Sequence, residues 1–491
     1  MLFKWKLSSI LSLLLAINTL SAASPPVKFA IKTNGILVLN DTPSRADSVS
    51  EMFGNGVFFG RLRTNNFYFR WNNEDPKHAT HLISALGASV IYRSAIYADF
   101  DFGTALYASQ AFFDDVNDPI DRLKPGKDAL SRFEYVNTGN KAMAVLGQGY
   151  LCYHGIPSTQ VSVGRQLVES FYTKSNDTKM IPNTFDGAVV SSTALPSTTL
   201  QIGYLSQQKL RDHTQAHAVL MYGDSNSSSA INPQWSENDD SAMHRGLTYS
   251  ALKTAGKPTD APLIIADMHN RSVKNFKLDA AFFTVPKLLS SVMTEANYAF
   301  KLNGGVSLTP GLRYIRQFDQ GAGSVGGASY TDDATGYHDP DSLDAQMVAA
   351  RLVLRSELYK FNLAMTYVLD EADLIAPWRG FPTSGYTRSM GIYNWRANTK
   401  SYRFEVQRNA NAQGLYTDLF IQASVLYTNA DERKTGYHNL DELYYYIGFV
   451  QNLPQIPPLQ WRLRAGYAQF LNNDDSKYNY LDLRFEANYL F

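Results

Sequence analysis

The chain has 491 residues, 45 Lys and Arg against 45 Asp and Glu, 44% hydrophobic residues and a single cysteine. Zero formal charge and the lack of any basic run exclude a nucleic-acid-binding surface, which needs a cationic surplus to neutralise phosphates. One thiol excludes an internal disulfide, and no Cys/His cluster has tetrahedral metal spacing, so no metal or other cofactor is expected.

In chain order, residues 1–23 read as a signal peptide. Lys4 and Lys6 form its basic region, Ile10 to Ile17 its apolar core, and Ser21-Ala22-Ala23 a small-residue cleavage site. Without those two lysines the mature chain carries 43 basic and 45 acidic side chains, a net charge of −2. Residues 24–50, with Pro25 and Pro26, read as an N-terminal periplasmic arm or an inner plug, and residues 51–491 as one unit with no internal boundary. No later stretch is long and apolar enough for a transmembrane helix, so an exported chain of this kind is either soluble or a barrel.

Period-two alternation over about ten residues is the signature of a barrel strand, and here it recurs along the chain. The first clear strand is Phe58 to Arg63, with Phe67-Tyr68-Phe69 behind it. Val348, Ala350, Leu352 and Leu354 alternate with Arg351, Val353 and Arg355. Tyr402, Phe404 and Val406 flank Arg403, and Trp461, Leu463, Ala465 and Tyr467 alternate with Arg462 and Arg464. The last strand sets Leu481, Leu483, Phe485, Ala487, Tyr489 and Phe491 against Asp482, Arg484, Glu486 and Asn488. Turn-rich stretches at Gly223 to Asp240, Gly321 to Asp341 and Asn472 to Lys477 alternate with short links at Asn303-Gly304 and Lys360-Phe361. Long loops on one side and tight turns on the other, with about sixteen to eighteen strands, describe an all-β transmembrane antiparallel barrel of the outer membrane. The aromatic C-terminal strand resembles the signal read by the barrel-assembly machinery, an expected partner. Outer-membrane lipid and lipopolysaccharide are the expected surroundings.

Closing the barrel brings the first strand beside the last. Arg61, Arg63, Arg462, Arg464 and Arg484 then share one wall, Arg403 extends it, and Arg351 and Arg355 stand further round. If these faces line the lumen they form a basic ladder suited to carboxylates, because the guanidinium fork donates two parallel hydrogen bonds to one carboxylate. The competing reading pairs these arginines with Glu405, Glu486 and Asp482 in a rigid, unselective wall. After the strand Gln160 to Gln166, about twenty irregular residues precede Ala188. A loop of this length can fold into the lumen, and Asp177 and Asp186 would then face the arginines and set up a transverse field.

The string Asn176-Asp177-Thr178-Lys179-Met180-Ile181-Pro182-Asn183-Thr184-Phe185-Asp186-Gly187 resembles the constriction loop of the OprD family of outer-membrane porins. The runs Pro377 to Thr383, Tyr386 to Met390 and Ile447 to Pro454 are similar to the branch found in epsilon-class proteobacteria. The resemblance implies a monomeric or loosely trimeric barrel of about 18 strands, an inward-folded third loop containing Asn176, Asp177 and Asp186, and a basic ladder facing an acidic patch. It also implies passive passage of small carboxylate-bearing solutes, including amino acids. The alternatives are an unselective general porin, an adhesion barrel acting through its loops and, more distantly, a hydrolase. No enzyme is expected: Gly-x-Ser-x-Gly is absent, and Cys152 and His154, on one strand face, read as lumen lining rather than a nucleophile.

Overall fold

In the computed structural model the described residues are 29–39, 43–74, 80–114, 129, 140–220, 247, 249–329, 335–376, 378, 383–410, 418–435, 439–471 and 478–491. The signal segment, the 223–240 and 472–477 stretches, Pro377 and residues 379–382 lie outside them, as do residues 330–334 within the 321–341 stretch.

Eighteen long strands close into an antiparallel barrel. They are β1 (Val57–Trp71), β2 (His81–Arg93), β3 (Phe100–Asp114), β4 (Ala142–Ile156), β5 (Thr159–Gln166), β6 (Thr184–Ser192), β7 (Thr198–Lys209), β8 (Leu263–Asn270) and β9 (Phe276–Val285). They continue as β10 (Leu289–Tyr298), β11 (Ser307–Asp319), β12 (Ala345–Arg355), β13 (Tyr359–Val368), β14 (Thr399–Arg408), β15 (Leu419–Asn429), β16 (Glu442–Leu453), β17 (Ile456–Phe470) and β18 (Tyr480–Leu490). Two-residue ladders at His217–Ala218 and Phe300–Lys301 extend the pairing of β7 and β11. No described helix is long and apolar enough to cross a membrane. The strands satisfy every backbone group between them because the barrel closes.

Closure runs through β18 and β1, where Glu486 stands opposite Asn65 and Asn488 opposite Arg63. Beyond the last paired residue, Gly60 and Phe491 exchange backbone hydrogen bonds of 3.0 and 3.2 Å. Along β1 the side chains of Arg61, Arg63, Asn65, Phe67 and Phe69 are buried, whereas Phe58 is 71% and Leu62 54% exposed. The same alternation round the wall leaves Leu352, Phe404, Ile447, Leu463 and Tyr489 outward, an apolar band that suits lipid. Outward tyrosines stack across strand pairs, Tyr402 on Tyr427 and Tyr445 on Tyr467, each at 6.5 Å. The link expected at Lys360-Phe361 lies inside β13 instead. The chain turns three residues earlier, where the Ser356 hydroxyl accepts from the Tyr359 N–H at 3.1 Å and the backbone closes at 2.8 Å.

Before the wall, residues 51–54 belong to a short helix, α1 (Val49–Gly54), rather than to the barrel. The Ser48 hydroxyl caps it by accepting from Glu51 N–H, and the Glu51 carboxylate accepts from Asp47 N–H. Upstream, Phe29–Ile31 and Leu37–Leu39 form a small hairpin whose tip reaches the arginine wall.

Candidate functional site

The third long connection, residues 167–183, joins β5 to β6 and folds inward. Asn176 takes a left-handed φ of 45°, which asparagine tolerates, and its side chain accepts from Thr178 Oγ1 at 2.8 Å. Glu169 accepts from Ser175 N–H at 2.7 Å, and Asn183 N–H donates to Ser175 O at 2.8 Å, so the loop is a self-bonded knot. Met180 and Ile181 are fully buried among Phe67, Ile83 and Ala85 of the wall.

This knot delivers Asp177 between the first two arginines of β1. Its Oδ1 lies 2.6 Å from Arg63 Nη2, its Oδ2 pairs with Arg61, and its backbone carbonyl accepts from Arg63 Nη1 at 3.0 Å. Asp177 therefore pairs directly with Arg61 and Arg63, where a field across the lumen was expected. Asp186 departs further. It stands in β6, opposite Arg165 of β5, and the two carboxylate oxygens accept from the guanidinium at 2.7 Å each. Since Phe185 and Gln166, their strand neighbours, are the buried ones, alternation turns Arg165 and Asp186 outward, away from the constriction.

All eight ladder arginines stand on the lumen side of the alternation, but in unlike surroundings. Arg484 is held by Asp482 through Nε at 2.9 Å and Nη2 at 2.5 Å. Arg464 comes only to 3.9 Å of Glu486, and Arg462 gives one long bond of 3.4 Å to Thr33 O of the hairpin. The Nε of Arg462, and Nε and Nη2 of Arg464, have no hydrogen-bond partner among the described residues. The seam wall thus gathers five guanidiniums and three carboxylates, Asp177, Asp482 and Glu486. Further round, Arg403 pairs with Glu405 and donates to Arg388 O at 2.5 Å. Arg351 binds Glu295 at 2.9 Å and Asn297 at 2.6 Å. Arg355 is exposed at the short-turn end of β12.

Three parts of the site go beyond what the residue pattern reveals. Arg313 of β11 shares Glu295 with Arg351, and the two guanidiniums lie 4.4 and 4.2 Å from the ring centre of Tyr386, in the connection 369–398. Burial pushes the Tyr386 phenol up. Trp378 of that same connection donates to Tyr172 O of the third loop at 2.9 Å and packs edge-on against Phe283 at 4.7 Å, so the two inward loops grip each other. Finally, Arg61 donates to Gly35 O of the hairpin at 2.8 Å. Gly35 has φ +82°, and a Cβ there would lie 2.2 Å from Asp177 O; only glycine fits. A run of Lys-Thr-Asn-Gly between apolar residues 29–31 and 36–39 carries the turn signal for this hairpin.

A closed barrel with an apolar outer band, long loops at one end and loops packed inside defines a pore-forming protein of the bacterial outer membrane. Residues 153–255 match the family described as outer membrane porin, OprD family. Pseudomonas aeruginosa OccK8 (OprE) superposes with a TM-score of 0.67 at 14% identity, covering 90% of this chain and 99% of that one. Acinetobacter baumannii OccAB2 gives 0.67 at 17% identity over 90% and 99%, and P. aeruginosa OpdK, crystallised with vanillate, gives 0.64 at 14% over 88% and 98%. Comparison with curated proteins finds no match. Together the family match and the fold support an OprD-family porin.

Proposed function

We propose that this porin passes small carboxylate-bearing solutes down their gradients, with the seam arginines as the selective track. The observation that carries this reading is the positive surplus at Arg462 and Arg464: Glu486, opposite Arg462 in the strand pair, comes only to 3.9 Å of Arg464, and the buried Nε of each and Nη2 of Arg464 have no partner among the described residues. The surplus positive charge attracts a carboxylate entering the lumen, and the succession of arginines along the wall gives it weak sites from which it can leave again. That OpdK, a barrel of the same fold, was crystallised with the carboxylate vanillate supports this reading. The hairpin acts here as an inner plug rather than a periplasmic arm, because Thr33 and Gly35 lend carbonyls to Arg462 and Arg61. The pairing of Arg61 and Arg63 with Asp177 favours a second reading, a general porin whose ladder is only structural.

The test is the reversal potential of the purified protein in a planar bilayer under a gradient of a sodium carboxylate. Selectivity for the anion is expected, and the double variant Arg462→Gln/Arg464→Gln is expected to lower the anion-to-cation permeability ratio by about three- to tenfold. An unchanged ratio in that variant selects the general porin.

A further inference from the structure

We infer that Asp101, Cys152 and His154 form a three-ligand site for a soft divalent cation, Zn2+ or Cd2+, on the lumen wall at the short-turn end of the barrel. Asp101 of β3 stands directly opposite Cys152 of β4, and His154 follows two residues along on the same face. Their ligand atoms, a carboxylate oxygen, Sγ and a ring nitrogen, all lie within 4.8 Å of one another. Among the described residues no other group of three His, Cys, Asp or Glu side chains converges in this way.

The surroundings aim each ligand. Asp101 turns Oδ2 to His154 Nε2 at 2.6 Å and gives Oδ1 to Arg93 Nη2 at 3.0 Å. Arg93 is steadied in turn by the Tyr150 hydroxyl at 2.8 Å, and Gln160 Nε2 donates to Cys152 Sγ at 3.2 Å. Such outer partners are what orient ligands around a bound metal. Asp101 and Cys152 are fully buried on rigid strands, whereas the His154 side chain is 24% exposed, so a cation approaches from the His154 side and keeps a coordination position open there. Zinc bonds of about 2.0–2.3 Å set tetrahedral ligand separations of roughly 3.3–3.8 Å, within reach of small side-chain rotations from the present spacing.

The charges and protons balance. The cation displaces the Cys152 thiol proton to solvent and inserts between Asp101 Oδ2 and His154 Nε2. Neutral His154 keeps its proton by carrying it on Nδ1. Thiolate and carboxylate together neutralise the divalent charge, and Arg93 stays on the far carboxylate oxygen. Thiolate and imidazole favour zinc or cadmium over calcium or magnesium, which want oxygen alone.

The test titrates the purified barrel in detergent with CdCl2 and follows the thiolate-to-cadmium charge-transfer absorption. Cys152 is the single cysteine, so any such band reports this site. One equivalent is expected to bind, with the band lost in Cys152→Ser and affinity lowered at least tenfold in His154→Gln. Asp101→Asn leaves Arg93 without its carboxylate and can disturb folding, so His154→Gln, which keeps the strand pairing, is the deciding variant. No band from the folded protein, or an affinity unchanged in His154→Gln, overturns the site.

Discussion

Two walls of the same lumen use arginine in opposite ways. At Arg313 and Arg351 the guanidiniums are spent: Glu295, Asn297 and the Ser384 carbonyl take their donors, and both faces clasp Tyr386. At the seam, Arg61 and Arg63 are likewise held by Asp177 through their Nη groups, whereas Arg464 next to them comes only to 3.9 Å of Glu486 and Arg462 gives one long bond to Thr33 O. The difference teaches that position on the lumen face is not enough to make a residue part of a filter. What matters is whether the protein has already supplied its counter-charge, since an engaged guanidinium has little left to offer a passing anion.

Breaking the engaged side should have the largest effect. Asp177→Asn removes the carboxylate from two buried guanidiniums and is expected to cost about 3–5 kcal/mol of stability, measured by urea unfolding in lipid vesicles. If it instead left stability intact and raised anion selectivity, Arg61 and Arg63 would join Arg462 and Arg464 on the open side. A smaller loss, about 1–3 kcal/mol, is expected for Gly35→Val, whose side chain collides with the Asp177 carbonyl. It should also unseat the hairpin, raising single-channel conductance. Tyr386→Leu withdraws the ring from Arg313 and Arg351, with an expected cost of about 1–2 kcal/mol and a noisier open channel as the connection 369–398 loosens.

The smallest effect concerns pH. Burial would raise the Asp431 carboxyl, but hydrogen bonds from the Arg433 side chain and backbone bring it down to about 2. Its folded value is depressed, so the stability it lends is full above the unfolded value near 3.9 and is lost as pH falls toward about 2. The loop 430–441 should therefore hold from neutral pH down to about pH 4. Amide exchange in that loop rising between pH 7 and 5 would contradict the assignment.

Much of this architecture is legible in the residue order, because strand alternation is enforced by physics on both sides. An arginine turned to lipid at mid-bilayer costs about 2–4 kcal/mol, so Arg462, Arg464 and Arg484 could only face inward. Asp186 was open to the same argument: Phe185, Gly187 and Val189 alternate with Asp186, Ala188 and Val190, which already turns Asp186 outward and calls for a partner such as Arg165. Reading it as loop hid that parity. The choice of partner is another matter. Nothing in the order of residues places Asp177 on Arg61, Tyr386 between two arginines or Gly35 under a carbonyl, because each contact depends on how a connection folds back in three dimensions. The same holds for Asp101, whose meeting with His154 across 53 positions follows only from the β3–β4 register.

The seam couples the pore to the making of the protein. Arg462 reaches Thr33 across 429 positions and Arg61 reaches Asn488 across 427, so the constriction draws on both extremes of the chain. Contacts of such sequence separation form late, after the closure entropy of everything between them has been met. A barrel still waiting for β18 has its outer strands and lipid band but lacks the Asn488 side of the Arg61 pocket and the Glu486 carboxylate beside Arg464. Completion of the wall and completion of the filter are thus one event.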